Sequence, residues 1–110
     1  MADPDFVRVA SLADLPPGSV RSVKVRLKEY AIFNLGGRII ATRGACPHQM
    51  SSLALGQVCG EDVTCARHGW RFRIPTGEPL PPSPAWAKLS RYAVVVEGDD
   101  VYLSPERVEI

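Results

Sequence analysis

The sequence predicts a small all-β protein, a sandwich or barrel of short antiparallel strands. Apolar residues recur at near-alternate positions in short runs, and glycine and proline break the chain between those runs. Little of the chain has the spacing of a helix. At 110 residues there is sequence for one domain and not for two independent cores.

The elements follow in chain order. Phe6, Val7 and Val9 open a first strand. Residues 12–18 (Leu-Ala-Asp-Leu-Pro-Pro-Gly) end it, because adjacent prolines and a glycine cannot continue a ladder. One helical turn is expected over residues 12–15. Val20, Val23, Val25 and Leu27 punctuate a run of arginine and lysine, as in a strand with one wet face. Residues 30–35 and 38–42 flank Gly36-Gly37, a two-residue hairpin signal. From residue 44 to 80 the pattern changes to loops and very short strands, ending in a proline-rich stretch over 79–84. Residues 92–97 and 101–104 then make a second hairpin around Gly98-Asp99-Asp100.

Composition removes several function classes. A net charge of +1 gives no reason to expect nucleic acid or an anionic membrane as partner. The apolar runs, such as 93–96, are far short of the roughly 20 residues that cross a bilayer. The first ten residues hold no apolar segment of a secretory leader. A cytoplasmic protein is expected. Its three cysteines, Cys46, Cys59 and Cys65, point to a metal site plus a spare thiol rather than to disulfides. Both histidines, His48 and His68, lie within three positions of a cysteine.

Two pairs therefore stand out, Cys46-Pro47-His48 and Cys65-Ala66-Arg67-His68, with sixteen residues between them. A structural zinc usually takes four ligands from Cys-x₂₋₄-Cys and His-x₃₋₅-His pairs that converge on one ion. Here each pair mixes ligand types, and Cys-x-His is tight for convergence on one ion. The pattern makes better sense if the members of a pair address different metals. A two-iron cluster allows this, with Cys46 and Cys65 on one iron and His48 and His68 on the other. Cys59 has no histidine at ligand spacing and reads as a small buried hydrophobe. Trp70 and Phe72 read as core or cluster-shielding aromatics. Arg43, Arg67, Arg71 and Arg73 serve either solubility or the docking of an acidic partner.

These residues resemble the Rieske family, whose signature is Cys-x-His followed by Cys-x-x-His-Gly. Ala45-Cys46-Pro47-His48 and Cys65-Ala66-Arg67-His68-Gly69-Trp70-Arg71-Phe72 are similar to the two cluster loops of Rieske ferredoxins and ring-hydroxylating oxygenases. Leu53, Gly56, Thr76-Gly77-Glu78, the proline-rich stretch and the closing hairpin extend the likeness over nearly the whole chain. The resemblance implies one [2Fe–2S] cluster held by Cys46, His48, Cys65 and His68, the imidazoles binding through Nδ1. It also implies the Rieske fold: an antiparallel β-sandwich or barrel base from both chain ends, with a small cluster-binding subdomain inserted at roughly residues 44–80. Two loops and the proline stretch would cover the metal.

High-potential relatives in respiratory and photosynthetic complexes add a serine and a tyrosine after the second histidine, and a disulfide between the loops. Trp70, Phe72, Ser51 and Arg67 stand at those positions. Hydrogen-bond donors raise a cluster's potential, so their absence implies a value near the negative end of the Rieske range, about −150 to +300 mV. Four protein ligands leave no open iron position, and no nucleotide motif or catalytic triad is present. The expectation is an electron carrier rather than an enzyme: a monomeric ferredoxin between an NAD(P)H-dependent flavoprotein ferredoxin reductase and a terminal oxygenase that hydroxylates an aromatic ring. Two other readings stay open. One is an accessory subunit like that of nitrite reductase, and the other a non-redox zinc module.

Overall fold

The computed structural model describes residues 6–44, 52–66 and 69–108, and within them the alternation of apolar residues sets the strands. These are β1 (Val7–Ser11), β2 (Val20–Val25), β3 (Lys28–Leu35), β4 (Arg38–Arg43), β5 (Gln57–Cys59), β6 (Asp62–Thr64), β7 (Arg71–Arg73), β8 (Pro79–Leu80), β9 (Arg91–Glu97) and β10 (Asp100–Val108). Among the described residues, helix is confined to two 3₁₀ turns, Leu12–Asp14 and Leu53–Leu55. The first is the expected helical turn. Ser11 caps it by accepting a hydrogen bond from the Ala13 amide.

The strands form two antiparallel sheets. Six of them run in the order β1-β10-β9-β4-β3-β2, and the edge strands β1 and β2 approach each other, so this sheet nearly closes into a barrel. The other four, β5-β6-β7-β8, form a small meander wholly inside the segment where the sequence pattern changes. Both ends of the chain build the larger sheet, as expected.

Strand β3 explains how the two parts fit together. Residues 30–34 are all buried, which a strand with one wet face cannot achieve. Tyr30 and Ile32 point into the barrel with Leu15, Ala41, Val101 and Leu103. Ala31 and Phe33 point the other way, into a second core with Ile40, Leu53, Val63, Cys65, Phe72, Ile74 and Leu89. The register pairs like with like, Ile32 opposite Ala41 and Phe33 opposite Ile40. One sheet thus supplies a wall to two cores, and the small meander packs on its outer face.

The turns follow their chemistry. Gly36 and Gly37 adopt φ of +65° and +102°, the positive values that a two-residue hairpin needs. Asn34 secures that turn, its Oδ1 accepting from the Gly37 amide while Nδ2 donates to the Leu15 carbonyl, both at 2.7 Å. In the last hairpin Asp100 belongs to the strand, opposite Glu97, which leaves Gly98-Asp99 as the loop. Leu27 departs from expectation. Val25 pairs with Lys28, so Arg26 (φ +59°) and Leu27 form a hairpin tip, and Leu27 is 97% exposed. Its apolar side chain continued the alternation in the sequence, but the two-residue loop decides its place.

Candidate metal centre

The first cysteine–histidine pair falls in the segment between the end of β4 and Ser52. Cys46, His48 and Ser51 fall outside the described residues, as do Arg67 and His68 in the second loop. The feet of the first loop are well defined. Gly44 donates its amide to the Glu29 carbonyl at 3.0 Å, and its own carbonyl accepts the Leu53 amide at 2.8 Å. Ser52 Oγ donates to Glu29 Oε2 at 2.6 Å, and Leu53 is fully buried in the second core.

The second loop leaves β6 at Cys65, the one predicted ligand whose position is described. Its amide donates to the Trp70 carbonyl at 2.7 Å, and its carbonyl accepts the Gly69 amide at 3.1 Å. These two bonds tie Cys65 to Gly69 and Trp70, the residues that follow the second histidine. Cys65 is 2% exposed. It lines a cavity of about 430 Å³ together with Leu55, Gly56, Gln57, Thr64, Ala66 and Gly69. Gly56 packs against the Thr64 carbonyl beside Cys65, which brings the turn after Ser52 to the same cavity. The one described donor fits an iron–sulfur group: Cys65 is a buried thiol at the edge of a cavity walled by the small residues Gly56, Ala66 and Gly69.

The residues around the second loop mostly meet expectation. Phe72 is fully buried, and Trp70 is half-buried against the same core. Trp70 also meets Trp86 edge-on, with ring centroids 5.6 Å apart, and Trp86 remains 71% exposed. Arg71 and Arg73 take a role not foreseen from sequence. Both reach Asp62 across the meander at 3.2 Å, so one carboxylate braces two arginines. The proline stretch is tied to β7, since Ser83 Oγ donates to the Arg71 carbonyl and accepts the Arg71 amide, both at 2.8 Å.

Two findings correct or extend the sequence reading. Cys59 is exposed, not a buried hydrophobe, because it ends the short edge strand β5 just before a turn. The group that sequence reasoning missed is Glu29. Its Oε2 also accepts from Ser22 Oγ at 2.7 Å. The bonds from Ser52 and Ser22, with the nearby charge of Lys24, hold this carboxyl below its ordinary range against the opposing effect of burial. The available signal was that Glu29 is the only acid between Asp14 and Glu61, amid a run of cations.

Comparison with known proteins agrees with this geometry. The family model described as "Rieske [2Fe-2S] domain" matches residues 5–93. A protein named ferredoxin CarAc, from Metapseudomonas resinovorans, is 31% identical over 103 residues, covering 93% of this chain and 95% of that one. The biphenyl dioxygenase ferredoxin subunit of Pseudomonas sp. (strain KKS102) is 32% identical over 106 residues, covering 96% of each. Among solved structures, a chain in the complex of reduced oxygenase and oxidized ferredoxin in carbazole 1,9a-dioxygenase superposes with a TM-score of 0.85. It is 30% identical, covering 96% of this chain and 97% of that one.

Proposed function

The chain belongs to the Rieske [2Fe–2S] family, and from that premise we propose that it is the ferredoxin of an aromatic-ring-hydroxylating system. It takes single electrons from an NAD(P)H-dependent flavoprotein reductase and delivers them to a terminal Rieske oxygenase. The observation that carries this reading is the nearly end-to-end match to ferredoxin components of such systems. The chain serves as a carrier with no active site of its own, working as a monomer in the cytoplasm. Among the described residues no helix is long and apolar enough to cross a membrane.

The cluster, when bound, accepts and returns one electron. Cys46 and Cys65 would hold one iron, and His48 and His68 the other. Burial of Cys65 keeps water from its sulfur, and the Cys65–Trp70 and Gly69–Cys65 backbone bonds limit how far its loop can relax. A ligand cage that moves little keeps the reorganisation on electron transfer small. Residues 44–80 act as an inserted cluster-binding subdomain of a single domain. Trp70 and Phe72 stand where high-potential relatives carry hydroxyl donors, which supports a potential near the negative end of the Rieske range, about −150 mV.

Reconstitution tests the reading. The purified protein should be red-brown, contain iron and inorganic sulfide in equal amounts, and bleach with dithionite. Supplied with reductase and a matching oxygenase, it should restore product formation from NAD(P)H. A colourless protein without sulfide, or a coloured one that no ring-hydroxylating oxygenase oxidises, contradicts it.

A further inference from the structure

Glu29 joins three parts of the chain that are remote in sequence. It lies on β3 opposite Lys24 of β2. Its Oε2 receives two hydroxyls, Ser22 Oγ from β2 at 2.7 Å and Ser52 Oγ from the far foot of the first loop at 2.6 Å. Its carbonyl receives the amide of Gly44, the near foot of the same loop, at 3.0 Å. The feet are also tied to each other, through the Leu53 amide and the Gly44 carbonyl at 2.8 Å. Both ends of the segment carrying Cys46 and His48 are thus fastened to one residue of the central strand.

The chemistry suits a fixed anchor. Two O–H donors converge on a single oxygen, which needs an acceptor with more than one lone pair and no proton of its own. An ionised carboxylate meets that requirement, and distances of 2.6 and 2.7 Å are those of charge-assisted bonds, roughly twice as strong as neutral ones. The two serines divide the work. Ser22 links Glu29 to the neighbouring strand, whereas Ser52 links it to the loop.

We propose that Glu29 is the positioning residue of the first ligand loop: acting through Ser52 and Gly44, it fixes where that cysteine–histidine pair meets the cluster. This rests on the ligand assignment proposed above. Glu29 acts at the two feet of the loop, so its effect appears in how firmly and in what geometry the loop holds iron.

The test uses cluster-loaded protein and two readouts besides electron transfer, the rate of iron release to a chelator and the visible circular dichroism of the cluster. Ser52→Ala and Glu29→Ala should each release iron about ten-fold faster than the parent, the order expected for loss of one charge-assisted bond. Their visible dichroism should change as well. Glu29→Gln keeps an amide oxygen that can accept both hydroxyls through neutral bonds and should recover about half of the difference. Ser22→Ala, which cuts only the link between strands, should stay close to the parent. Val101→Ala, in the barrel core, controls for general loss of stability: it should lower the melting temperature yet keep the parent's release rate and dichroism. Parent-like release and dichroism in Ser52→Ala overturn the inference, and so does a Val101→Ala protein that matches it in both. A parent protein that binds no iron and sulfide overturns the underlying ligand assignment, and this inference with it.

Discussion

Replacing Gly44 by alanine tests how closely the first loop is seated on the sheet. A methyl group there would lie 2.7 Å from both the carbonyl carbon and Cγ of Glu29, and 2.8 Å from its carbonyl oxygen. The carbon distances fall roughly 0.8 Å short of ordinary packing at about 3.5 Å. Rotation of the Glu29 side chain relieves only the Cγ contact. The other two atoms are main chain, held in place by the β2–β3 and β3–β4 ladders and by the Gly44 amide itself. Strand and loop must therefore separate, and overpacking of this kind costs about 1–3 kcal/mol. A chain of this length has an unfolding entropy near 0.23 kcal/mol/K, so the melting temperature should fall by about 4–13 °C. Thermal unfolding followed by far-ultraviolet circular dichroism measures it. A fall of less than about 2 °C would refute the close-contact reasoning, because the loop would then be free to give way at almost no cost.

Three further outcomes are expected. Phe72→Ala removes a fully buried ring from the second core and should cost about 3–5 kcal/mol in chemical denaturation, a large share of a typical total of 5–15. Because the folded state holds the Glu29 carboxyl below its ordinary range, its contribution to stability is complete at neutral pH and is lost as pH falls through the lowered folded value. The gap in melting temperature between the parent and Glu29→Gln should therefore stay constant from neutral pH to about 5 and shrink below it. A gap that widens in acid would contradict the sign. Cys59, being exposed, should consume one equivalent of an aromatic disulfide reagent in cluster-loaded protein, and Cys59→Ser should consume none.

Local chemistry was legible in the sequence, and long-range contact was not. Gly36-Gly37 and Gly98 announced their hairpins because glycine reaches positive φ without a Cβ penalty. The cysteine–histidine pairs announced the Rieske family, which the family model over residues 5–93 bears out, because motif spacing is a local property. Cys59 misled because a single apolar residue in a three-residue strand carries no usable periodicity, and the edge of the meander leaves it in solvent. Leu27 misled because alternation does not mark where a strand ends, and Val25–Lys28 pairing does. Glu29 was out of reach for a different reason. Its partners Ser22 and Ser52 lie seven and twenty-three residues away, and only the fold brings both hydroxyls to one oxygen. The division of the interior into two cores was half visible: the unbroken apolar run Tyr30-Ala31-Ile32-Phe33 is what a strand buried on both faces looks like.

In the proposed ligation Cys46 and Cys65 bind one iron, and His48 and His68 bind its neighbour. Pulsed electron paramagnetic resonance of the dithionite-reduced protein, with histidine alone labelled by ¹⁵N, tests it most directly. Two strongly coupled histidine nitrogens are expected, together with the low average g value of mixed nitrogen and sulfur ligation. A spectrum with no strongly coupled histidine nitrogen, as all-thiolate ligation would give, contradicts it.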